Sequence, residues 1–199
     1  MGRRQNSSPF NVEQGVKYDY IDVKGGLQSL YDILAYAINI KGGIITDKDL
    51  IIDTYAKLKG HVNVHDISAQ KIKIHGSISA NRIVADNIKL VFGKDSSINK
   101  VEGSFVEIRN GGKPEDNEKI MNSILNLFDL KLTYKEDPSG FICKIGEITG
   151  ESIELTDVTA DIVQGDTIIL HNNCNIKKLI YRNELIADEA CIIQSKEHL

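Results

Sequence analysis

One seven-residue unit recurs through the first half of the chain, and its spacing restricts the possible folds more than any other feature. It reads IDVKGGL from Ile21, INIKGGI from Ile38, AKLKGHV from Ala56 and IKIHGSI from Ile72. The shared skeleton is apolar, polar, apolar, basic, Gly, variable, apolar. Successive copies start 17, 18 and 16 residues apart, and IKL at Ile88 opens a degraded fifth copy after a further 16. A period this short excludes the helical repeats, which need about 33 residues or more, and the longer blades of propellers.

Inside the unit the pattern has period two. Ile72 and Ile74 face one side of a strand, and Lys73 faces the other. Gly76 permits a sharp bend, and Ile78 returns inward on the next short strand. Each unit is therefore expected to be two or three short strands joined by bends, one coil of a β-helix. Stacking the coils gives inward positions Ile38, Ile40 and Ile44, then Leu58 and Val62, then Ile67, Ile72, Ile74 and Ile78, then Ile83, Ile88 and Leu90. Ile51 is read as the equivalent of Ile67 one period earlier. Each buried aliphatic side chain contributes roughly 1.5–3 kcal/mol. A single coil does not offset its own ordering entropy, whereas a stack of coils does. Isoleucine occurs 30 times and Trp not at all, a bias toward strands. GLQSLYDILAYAINI also fits a helix through Leu27, Leu30, Leu34 and Ile38. The repeats on either side of it favour a coil.

The register fails near Gly111. Pro114, Glu115 and Asp116 form a helix-start signature. Ile120, Ile124, Leu127 and Phe128 then share one helical face, predicting an amphipathic helix over about 115–130. It is expected either to cap the solenoid or to mediate self-association. From Phe141 the solenoid pattern returns. Ile67, Ile72 and Ile74 map onto Ile148, Ile153 and Leu155, and Ile83, Ile88 and Leu90 onto Val163, Ile168 and Leu170. The expected organisation is a flexible tail over 1–15, solenoid over 16–110, a linker with the helix over 111–140, solenoid over 141–194 and a polar tail over 195–199.

Little in the sequence points to chemistry. The chain is 41% hydrophobic with a net charge of −4, which suits a globular protein and gives no global case for nucleic acid as a partner. No P-loop, GxSxG, HExxH or Cys–His pattern occurs. Cys143, Cys174 and Cys191 lack CxxC spacing and read as buried reduced thiols. His61 and His65 sit about 13–14 Å apart if extended, too far to share a metal. Asp49, Asp53, Asp66 and Asp86 read as turn formers rather than catalytic acids. No catalytic residue, cofactor or metal is therefore expected. MGRRQNSSPF has no apolar stretch for a secretory signal, and Asn6 leaves a myristoylation pattern incomplete. A cytoplasmic location is expected, with weak membrane contact through Arg3, Arg4 and Phe10 as the most the tail would supply.

The aliphatic coils of residues 21–90 resemble the bactofilins, bacterial polymer-forming cytoskeletal proteins. GESIELTDVTADIVQGDTIIL from Gly150, CNIKKLIYRNELIADEA from Cys174 and VEGSFVEIRNG from Val101 are more specifically similar to the Gram-positive bactofilin-like branch. The resemblance implies a mainly β fold, a right-handed parallel β-helix. It also implies assembly without nucleotide and a scaffolding role in cell shape, motility or wall assembly. The principal expected partner is the protein itself, with protein clients besides. The alternatives are a non-polymerising solenoid adaptor that dimerises through the inserted helix, and a β-helix enzyme acting on acyl donors or polysaccharides.

Overall fold

The computed structural model describes residues 4–6, 12–93, 96–111 and 143–199. Thirteen strands follow one another: β1 (Arg4–Asn6), β2 (Lys17–Gln28), β3 (Ile33–Ile45), β4 (Leu50–Asn63), β5 (Asp66–Ser68), β6 (Lys71–Val84), β7 (Asn87–Phe92), β8 (Ser96–Glu102), β9 (Phe105–Asn110), β10 (Cys143–Thr156), β11 (Val158–His171), β12 (Asn175–Ala187) and β13 (Ile192–His198). Every pairing between them is parallel. The result is a parallel β-solenoid of about nine turns, with coils of about 17 residues. No helix occurs among the described residues. The helix expected over 115–130, with Ile120, Ile124, Leu127 and Phe128, lies outside them.

The core is a set of ladders along the solenoid axis. In one, Ile21, Ile38, Ala56, Ile72, Ile88, Val106, Ile153, Ile168 and Leu185 pair in succession. Two residues further along the same strands, Val23, Ile40, Leu58, Ile74, Leu90, Ile108, Leu155, Leu170 and Ala187 do the same. These two ladders form the inner side of a first wall. A second wall carries Leu27, Ile44, Val62 and Ile78, and a third Ile33, Leu50, Ile67, Ile83, Val101, Ile148, Val163 and Leu179. All of these down to Leu179 are buried except Leu185 and Ala187 of the last coil.

Ile51 is not part of the third-wall ladder. Leu50 pairs with Ile33 and Ile67 and is fully buried, whereas Ile51 is 44% exposed. Counting back 16 residues from Ile67 lands one residue late because this step is 17. The variable period has a local cause. Ala35 pairs with Ile52 but Ala37 with Tyr55, so Asp53 and Thr54 of β4 stand opposite Tyr36 alone. This bulge inserts one residue and lengthens the step from Ile38 to Ala56 to 18.

Corners are made by residues that admit close backbone approach. Gly25, Gly42, Gly60 and Gly76 stack at one corner. Gly76 has φ 140°, and a Cβ there would sit 2.0 Å from the Gly60 carbonyl oxygen. Any other residue would meet both a strained conformation and a backbone clash. The ladders also cross the segment between Gly111 and Cys143 without a break, since Val106 pairs directly with Ile153 and Val101 with Ile148. Ser195–His198 continues the last strand against Lys178–Tyr181 rather than forming a tail. At the other end Arg4–Asn6 pairs with Ile21–Val23.

Candidate functional site

The densest group of ionisable side chains is at a corner between the second and third walls. Asp32, Asp49 and Asp66 occupy successive coils there. The Asp49 N–H donates to Asp32 Oδ1 at 3.1 Å, and the Asp66 N–H donates to Asp49 Oδ1 at 3.2 Å. Asp66 Oδ1 in turn accepts from Asn81 Nδ2 at 2.9 Å. Each carboxylate thus satisfies a donor of the coil above, the role expected of a turn-forming Asp.

His65 joins this corner. Its Nδ1 is 2.9 Å from Asp49 Oδ1 and 3.5 Å from Asp66 Oδ1. The hydrogen bond to Asp49, and then the charge of Asp66, raise its pKa above the ordinary value. One ligand atom from each of Asp49, His65 and Asp66 falls within 4.8 Å of the others, a donor set of the kind that holds a divalent cation. Holding one would require His65 to give up its proton and Asp49 to share the oxygen that accepts the Asp66 N–H. A shallow depression of about 390 Å³, lined by Thr46, Asp47, Asn63 and His65 among others, borders the group.

The other histidines and the thiols lie away from this corner, with His171 between Glu154 and Asp188, its Nε2 3.3 Å and its Nδ1 3.7 Å from their carboxylate oxygens. His61 Nδ1 is 2.7 Å from Ser77 Oγ, and His75 lies on the first wall. Sequence spacing compared His65 with His61. Its actual partner is Asp49, 16 residues back, and only the coil period could have signalled that. Burial pushes the Cys143 and Cys174 thiols up to about 12, so both stay protonated and unreactive at neutral pH.

The two ends of the solenoid differ. At the first coil Ile21, Val23 and Leu27 are fully buried. β1 pairs with that coil, Val12 and Tyr18 are buried, and the Tyr18 hydroxyl accepts the Glu13 N–H at 3.0 Å. At the last coil β13 pairs only with β12, and the Glu184–Ala187 stretch of β12 pairs only with β11. Among the described residues nothing takes up their other backbone edge. Leu185, Cys191 and Ile193 of this coil are only partly buried against the core, and Ile186 and Ile192 are exposed. The third-wall ladder ends differently, since Lys196 pairs with Leu179 and closes it with a charge. The apolar part of this end is therefore confined to the first and second walls. Comparison of the chain with family models, with curated proteins and with solved structures finds no match.

Proposed function

We propose that the protein is a self-associating scaffold of the bactofilin type, assembling without nucleotide through its last coil. One observation carries this reading. An aliphatic ladder that β1 covers over Ile21–Val23 of the first coil ends at the last coil, among the described residues, with an unpaired strand edge and partly exposed Leu185 and Ile193. Such an edge is a template for another strand. Solenoids with unsealed terminal coils bury that surface by stacking. Lys196 restricts contact to two of the three walls and so fixes its orientation, as charges on edge strands do.

One open end makes pairs, while two make filaments. Pairing through the last coil is the first step, and longer assembly requires the cover over the first coil to be displaced. The reading is tested by sedimentation and negative-stain microscopy of the full chain without nucleotide, across a salt series. Beside it run Ile193→Lys and a variant lacking residues 1–16. Pairs from the full chain, single molecules from Ile193→Lys and filaments from the truncated form are expected. Discrete monomers from all three would end the proposal and leave a client-binding solenoid.

A further inference from the structure

The outward side of the first wall carries a charge distribution found nowhere else among the described residues. With Ala56 and Leu58 inward, Tyr55, Lys57 and Lys59 face out. With Ile72 and Ile74 inward, Lys71, Lys73 and His75 do so. The register stacks Lys57, Lys73 and Lys89 in one column, and Lys24, Lys41, Lys59 and His75 in another. Within a column the steps are about 4.8 Å, and the two columns lie about 7 Å apart.

Lys89 is bound to Glu107 at 2.5 Å. Lys24, Lys41, Lys57, Lys59, Lys71 and Lys73 have no ion-pair or hydrogen-bond partner among the described residues. The acids on this part of the wall are Asp22, which accepts from Asn39 Nδ2, and Glu107. Like charges on neighbouring rungs repel and stabilise nothing in the fold. The neighbourhood registers the resulting field. Burial first, then Lys59, Arg109 and Lys73, hold the His75 pKa below its ordinary value. In a chain of net charge −4 this is segregation of charge, not excess.

We propose that this wall is the face by which the molecule lies on an anionic membrane. The outward side chains of stacked parallel strands share one plane, which runs parallel to the solenoid axis and matches a plane of headgroups. Single strands of nucleic acid are held on series of stacked aromatic rings, and the two lysine columns themselves carry no Phe, Tyr or Trp, with Tyr55 only beside them. The unpaired cations are all lysine, hydrated point charges rather than the guanidinium forks that grip individual phosphates. Tyr55 borders the lysines at 36% exposure, an amphipathic ring at the margin where an interface would be. Each lysine strengthens attraction to an anionic surface about fivefold. Binding by one molecule is weak and is multiplied by assembly.

The test is co-sedimentation of the full chain with vesicles of phosphatidylcholine alone and of phosphatidylcholine mixed equally with phosphatidylserine. Binding only to the anionic vesicles is expected, and its loss at high salt. The triple variant K57E/K59E/K73E, with every change outward, should fall by more than a hundredfold. Lys144→Glu, on the second wall, should bind as the parent. A K57Q/K59Q/K73Q variant with an intermediate loss covers the case in which the reversals disturb folding. Vesicle binding that survives both triple variants overturns the proposal and assigns any contact to another segment. So would tighter binding to an oligonucleotide duplex that the same variants abolish, because the wall would then be a nucleic-acid surface.

Discussion

His65 and His75 have the same ordinary pKa of 6.5 and are driven to opposite sides of it by what faces them. His65 accepts the influence of Asp49 and Asp66, which favour its charged form. Its contribution to stability is therefore fully present below the ordinary value and is lost as pH rises through the raised one. His75 is partly desolvated and ringed by Lys59, Arg109 and Lys73, which favour its neutral form. Its contribution is present above the ordinary value and is lost as pH falls, because the unfolded chain then binds the extra proton. Urea melts of His65→Gln and His75→Gln against the parent, from pH 5 to pH 8, should show stability gaps that change in opposite directions with pH. Gaps independent of pH in both would contradict this placement of the charges. The pairing behind it was only half legible from the sequence. A period of 16 to 18 residues tells that Asp49 lies near His65 or Asp66, but a single-residue ambiguity decides which side chains meet. The same ambiguity places Ile51 inward where Leu50 is.

At the scale of the strand, β4 shows why the repeat is irregular without being weak. Asp53 and Thr54 share the place of one residue, and Thr54 Oγ1 donates to the Tyr36 carbonyl at 2.7 Å, satisfying an acceptor that the bulge leaves outside the ladder. Upstream and downstream of it the inward positions keep register with β3. Deleting Thr54 should close the bulge, shorten the step to 17 and cost no more than about 1–2 kcal/mol. Deleting Lys73 in β6 removes one residue from an unbulged strand. It must either turn Ile74 outward or move the Gly76 corner, so loss of cooperative unfolding is expected. Circular dichroism melts of the two deletions distinguish them, and equal damage in both would mean that Thr54 is not a spare residue. The strand and coil period were readable because aliphatics at alternate positions followed by Gly leave a strong trace. The bulge left none, since Asp, Thr and Tyr occur at many exposed positions.

At the scale of the whole molecule, the controlling fact is that the ladders do not register the interruption in the sequence. β10 pairs with β8 and β9 as closely as β11 pairs with β10, although the 31 residues from 112 to 142 separate them in the chain. Elsewhere the turn at this corner is short: Leu155 to Val158 takes three residues and Leu170 to Cys174 takes four. Residues 112–142 thus enter and leave at a corner that other coils close almost directly. Replacing them with a three-residue Asn-Asp-Gly corner separates two roles. If the segment only closes a loop, shortening it from 31 to three residues should stabilise the protein by roughly 2 kcal/mol, the difference in closure entropy. The association state in the sedimentation assay would stay as in the parent. If an apolar face of Ile120, Ile124, Leu127 and Phe128 covers part of the solenoid, the replacement should lower stability by several kcal/mol instead. It would also increase association, because the surface it covered would be free to stack. A stabilised protein with unchanged association would exclude the segment as a cap and leave the last coil as the place where assembly is controlled.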